Sequence, residues 1–104
     1  MVGVRIADLL STGRENGRKL RELARLQGID ERTVRLVIQQ ERLAGAPIIS
    51  DNANGYFLAG NPTEAQQFAR SMRHRSREIL RVAEAVEKAV PREESADETT
   101  TQII

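Results

Sequence analysis

Arg32, Arg35 and Gln39 stand three and four residues apart within the stretch Glu31 to Ala44, a spacing that puts them on one face of a helix. Their chemistry suits base-pair edges. A guanidinium can fork onto guanine O6 and N7, and a carboxamide can pair with adenine. On the same side Glu31 can accept from a cytosine amine, and Leu36 can lie against a thymine methyl or belong to a protein interface. Arg14, Arg18, Lys19, Thr33 and Arg42 are candidates for backbone phosphates, and Asn52 and Asn54 for polar contact with a minor groove. Catalytic chemistry is poorly provided for. The chain has no cysteine, and its one histidine, His74, sits between Arg73 and Arg75, where further positive charge is disfavoured. No transition-metal constellation, cofactor or small-molecule ligand is expected. The serines lack a partnered base, and no glycine-rich loop has the spacing of a phosphate cradle. An enzyme is not expected.

Positioning such a face requires a rigid pair of helices, and Leu20 to Gln39 reads as one. Leu20, Leu23, Ala24 and the flanking Leu26 share a face at the 3.6 period. Gly28 can end that helix in a left-handed cap. Ile29 is expected in the angle between the helices, and Asp30 as the N-cap of the next. Val34, Val37 and Ile38 continue the inward stripe, and small Ala24 stands where the helices approach most closely. This is the pattern of a helix-turn-helix, although any helical hairpin with a glycine cap shares part of it. The predicted core is Leu9, Leu23, Ala24, Ile29, Val34, Ile38, Ile49 and Phe57.

Val4 to Leu10 reads as a short first helix and Ser11 to Gly17 as a loop. Gly45 and Pro47 stop the helix begun at Glu31. Two β-prone runs then flank Asp51 to Gly55, where Asn54-Gly55 suits a tight hairpin turn. A hairpin spanning Ile48–Leu58 directly after a recognition helix is a wing, so residues 1–60 are expected to form a winged helix-turn-helix domain, mainly α with a β-hairpin. The run GIDERTVRLVIQQERLAGAPIISDNANGYFLAG resembles the amino-terminal winged-helix domain of the biotin-repressor type, through its Gly-Ile turn, Thr-Val helix, AG-x-PI strand entry and GY exit. The resemblance covers about Ile6 to Leu58. The whole chain is also similar to small winged-helix proteins of phages and mobile elements in Gram-positive bacteria. The resemblance implies double-stranded DNA binding and regulation of transcription. One departure stands out: the family usually carries a leucine where this chain has Glu41, and Leu43 is expected to substitute through a local shift of register.

Asn61-Pro62-Thr63-Glu64 is a helix start, and no breaker follows until Pro91. The resulting helix, about 28 residues within 61–90, would run roughly 42 Å. Phe68, Met72, Ile79, Ala83, Val86 and Val90 keep a 3-4 spacing if Ser76 serves as a small seam residue. Thr63–Val90 is therefore expected to pair with a second copy, making a dimer through Met72, Ile79, Val82, Ala83 and Val86. The alternative is a helix folded back on its own domain. Arg73, Arg77 and Arg81, four residues apart, could flank the seam and pair with Glu78, Glu84 or Glu87 of the second chain, or lie against DNA. Residues 91–104 form an acidic tail without periodicity and are expected to be disordered.

The net charge is +1, but the tail holds one arginine against four acids, which leaves +4 on the remainder. Of sixteen basic residues, all but Lys19 and Lys88 are arginine, the side chain suited to phosphate and guanine. Apolar runs are too short for a membrane span. With no convincing secretory signal, a cytoplasmic protein is expected. Two other roles stay open: a winged-helix module that assembles proteins, favoured by Leu36 and the acidic Asp51, and an excision or replication accessory factor.

Overall fold

The computed structural model describes residues 4–90, so the acidic tail lies outside the described residues. The protein is mainly helical, with a two-stranded antiparallel hairpin and a long carboxy-terminal helix. Two single-turn 3₁₀ segments, Ile6–Leu9 and Arg14–Asn16, precede α1 (Leu20–Gln27), α2 (Glu31–Leu43), β1 (Ile48–Asp51), β2 (Gly55–Leu58) and α3 (Pro62–Ala89). Two compact units divide between Arg70 and Ser71, inside α3. The first turns of α3 belong to the amino-terminal unit because Phe68 is half buried there, with the Arg42 guanidinium 4.9 Å from its ring centroid.

The segment expected as a first helix is a 3₁₀ turn, and its cap comes from 35 residues away in sequence. The Ile6 and Ala7 amides donate to the two Glu41 carboxylate oxygens at 2.7 and 2.8 Å. An acceptor thus meets two of the free donors that open any helical turn. Helix α2 continues regularly through this point, and Leu43 is 80% exposed, so it does not substitute for an inward leucine. The departure at Glu41 is a polar strut.

Gly28 ends α1 in the left-handed region at φ 69° and ψ 30°. Ile29 does not drop into the helix crossing. It stays 36% exposed, because its amide is held by the Ala24 carbonyl at the surface end of the turn. The crossing is filled by Leu23 and Ala24 from α1 and Val34 and Ile38 from α2, joined by Ile6, Ala7, Leu10 and Ile48. Each fully buried aliphatic side chain there is worth about 1.5–3 kcal/mol. Leu10 replaces the expected Leu9: the chain leaves the 3₁₀ turn extended at Leu10 and turns it inward, leaving Leu9 half buried.

In the hairpin Ile48 pairs with Leu58, Ile49 with Phe57, Ser50 with Tyr56 and Asp51 with Gly55. Ile48, Ile49 and Phe57 are buried. The stretch Ser11 to Gly17 is more than the expected loop, since its ends pair with the far edge of β2. Leu58 donates to the Ser11 carbonyl, and Tyr56 and Arg18 exchange both backbone bonds at 2.8 and 2.9 Å. That approach explains Gly55: a Cβ there would stand 2.3 Å from the Arg18 carbonyl oxygen, and its φ of 86° already disfavours other residues. Asn54, the other residue of the turn pair, has no positive φ and is used differently.

Candidate nucleic-acid interface

Burial of Val34 and Ile38 fixes the rotation of α2 and leaves Arg32, Arg35, Leu36 and Gln39 exposed on its other side, whereas Glu31, one turn before Val34 on the inward side, is exposed because it opens the helix. Arg32 and Arg35 make no ion pair within the chain among the described residues. Thr33 is half buried, and its hydroxyl donates to the Asp30 carboxylate at the N-cap position. That bond holds the Asp30 carboxyl below its ordinary pKa.

The backbone-contact candidates are distributed unevenly. Arg14 stays exposed, 3.7 Å from the Asp51 carboxylate and 5.9 Å from the centroid of the Phe57 ring. Arg18 is tied down, its Nε donating to the Leu9 carbonyl and its Nη1 to Glu22. Lys19 reaches the hairpin turn, where Nζ donates to the Ala53 carbonyl at 2.7 Å. Arg42 is committed inside the fold. Its Nε donates to the Ile48 carbonyl at 2.8 Å, and its guanidinium lies over Tyr56 and Phe68. Burial lowers its pKa from the usual arginine value, and its Nη2 is buried without a hydrogen-bond partner. At the hairpin tip, Asn52 is exposed while Asn54 is absorbed by the turn. Both the Asn54 amide, at 2.6 Å, and its side-chain nitrogen donate to Asp51. These bonds, the side-chain one foremost, hold the Asp51 carboxyl below its ordinary pKa. Asp51 is thus a structural acceptor facing Arg14.

Sequence reasoning passed over two arginines. Arg21 and Arg25, exposed at four-residue spacing on α1, line an open depression of about 620 Å³ together with Lys19, Leu20, Glu22 and Glu31. Their spacing on the outer face of α1 was the available signal. The depression reaches Glu31, the first residue of α2.

In α3, Met72, Ile79, Val82, Ala83 and Val86 are exposed, as is Leu80. Arg81 pairs with Glu78 of its own helix through two contacts at 2.9 and 3.0 Å. No helix among the described residues is long and apolar enough to cross a membrane, and no group of three or more metal-ligating side chains gathers there. Comparison with protein-family models, with curated proteins and with solved structures returns no match.

Proposed function

We propose that this chain is a winged helix-turn-helix protein of the cytoplasm that binds double-stranded DNA in a sequence-specific manner and regulates transcription. Helix α2 is the recognition helix, and the hairpin is the wing. The observation that carries this reading is the outward face of α2: Arg32, Arg35 and Gln39 project from a helix locked by Val34 and Ile38, and neither arginine is spent on an ion pair. Arg32 and Arg35 read guanine, and Gln39 reads adenine. Lys19, Arg21 and Arg25, gathered around a depression that reaches the start of α2, supply phosphate contacts. Arg42 and Arg18 act within the fold, and the wing contributes through Asn52 more than through Asn54, with Arg14 beside it at Asp51.

The protein acts as a homodimer through Thr63–Val90. Met72, Ile79, Val82 and Val86 are 42–63% exposed, and a partner helix of the same kind is the simplest cover. Two copies also supply affinity that one weakly charged chain lacks.

The test is binding of fluorescent duplexes by alanine variants. Arg35→Ala is expected to cost about 1–3 kcal/mol on the preferred sequence and relax one base position, whereas Arg25→Ala weakens all sequences alike. Equal small effects on every duplex favour the second reading, a protein-binding module. That reading is supported by Leu36, 53% exposed in the middle of the same face.

A further inference from the structure

Leu80 and Val82 are 58% and 62% exposed, yet both lie off the row formed by Met72, Ile79 and Val86. The row itself is strictly heptad. Met72, Ile79 and Val86 stand seven apart, and Ser76, Ala83 and Val90 form a second row seven apart, offset by four and three. One row is large and the other mostly small. Arg73, Leu80 and Glu87 flank this seam on one side, and Arg75, Val82 and Ala89 on the other. Among the described residues neither Arg73 nor Glu87 has an ion-pair partner, while Arg81 and Glu78, on the far side from the seam, pair with each other.

We propose that α3 pairs with α3 of a second copy in the antiparallel direction; the inference rests on the homodimer proposed above. An antiparallel pair sets one row of each helix against the other row of its partner. A single register then sets Ala83 opposite Ile79 of the second copy, Ser76 opposite Val86 and Val90 opposite Met72, so every small residue faces a larger one. In the same register Arg73 meets Glu87 of the second copy at both ends. Leu80 meets Leu80 and Val82 meets Val82 across the two-fold axis, which covers the two residues that a seam alone leaves in water. A parallel, in-register pair does the reverse. It stacks Ser76 on Ser76 and Ala83 on Ala83 in thin layers, and it sets Arg75 beside Leu80 and Glu87 beside Val82. Charge against apolar surface selects against that arrangement.

The chain has no cysteine, so cross-linking from single introduced thiols is unambiguous. Sedimentation of the wild type at micromolar concentration comes first: a monomer overturns the homodimer and this inference together. Given a dimer, mild oxidation is expected to link V82C to itself, to leave M72C unlinked alone, and to link M72C with V90C when the two are mixed. In the antiparallel register the two Met72 positions are about 27 Å apart along the helix axis, at 1.5 Å per residue. Ready self-linking of M72C with none for V82C overturns the direction while leaving the dimer intact. As a second measurement, R73E is expected to weaken dimerisation roughly tenfold through two lost pairs, and R73E combined with E87R to restore it. Failure of the double swap to restore it overturns the pairing.

Discussion

Replacing Glu41 with leucine, the residue the biotin-repressor-type pattern carries there, is expected to destabilise this protein. The Glu41 carboxylate accepts the Ile6 and Ala7 amides at 2.7 and 2.8 Å from a partly buried position. A hydrogen bond to a charged acceptor contributes about 1.5–3 kcal/mol, and partial exposure reduces each of these two to about 1–1.5 kcal/mol, or about 2–3 kcal/mol together. A leucine regains about a third of that by burying methyl groups, since α2 at this point faces the 3₁₀ turn. The net loss is about 1.5–2 kcal/mol. For a chain of this size each kcal/mol moves the Tm by about 4–8 °C, so Glu41→Leu lowers it by roughly 6–16 °C. Glu41→Gln, with one neutral acceptor oxygen, falls between. Thermal denaturation followed by circular dichroism measures the shift, and hydrogen exchange at the Ile6 and Ala7 amides locates it. A leucine variant as stable as the wild type refutes the strut and makes position 41 an ordinary core slot.

Ala24→Leu overpacks the α1–α2 crossing, where Ala24 is only 8% exposed, and costs about 1–3 kcal/mol; an unchanged Tm places the crossing elsewhere. Gly55→Ala forces a Cβ against the Arg18 carbonyl at 2.3 Å and is expected to loosen the pairing of β2 with Arg18, seen as faster exchange at the Tyr56 amide. The Asp51 carboxyl is held below its ordinary pKa mainly by Asn54. Its contribution to the turn is therefore complete above the unfolded carboxylate value and disappears as the pH falls through the lower folded one. Chemical shifts of the Asn54 amide, titrated downward from neutral pH, should move only below the usual carboxylate range, and in Asp51→Asn that transition should vanish.

The helix pair was legible because its signals are local. Leu23, Ala24, Val34 and Ile38 lie at helical spacing around a glycine that adopts the left-handed cap, and they form the core as expected. The start of α3 was equally readable from Asn61, whose side chain accepts the Glu64 amide, and from Glu64, which reaches back to Gly60. What stayed hidden depends on distance in sequence. Glu41 looks like a misplaced charge until its partners 35 residues earlier are known. Arg42 falls on a plausible outer face, yet it is drawn in by Ile48, Tyr56 and Phe68, none of which helical periodicity links to it. The turn composition of Ser11 to Gly17 conceals its pairing with β2, because strand pairing across some forty residues leaves no periodic trace in a short segment. On the exposed face of α2 the helical period and the fold agree on Arg32, Arg35 and Gln39, and the chemistry proposed for them is recognition of base edges.

That chemistry is tested most directly by selecting bound duplexes from a random double-stranded DNA pool with the full-length protein at physiological salt. The proposed function predicts enrichment of a defined site containing guanines, with the preference at one position relaxed in Arg35→Ala and overall affinity falling steeply as salt is raised. A pool that remains random after repeated rounds, with wild type and Arg35→Ala recovering the same sequences, would contradict sequence-specific DNA binding.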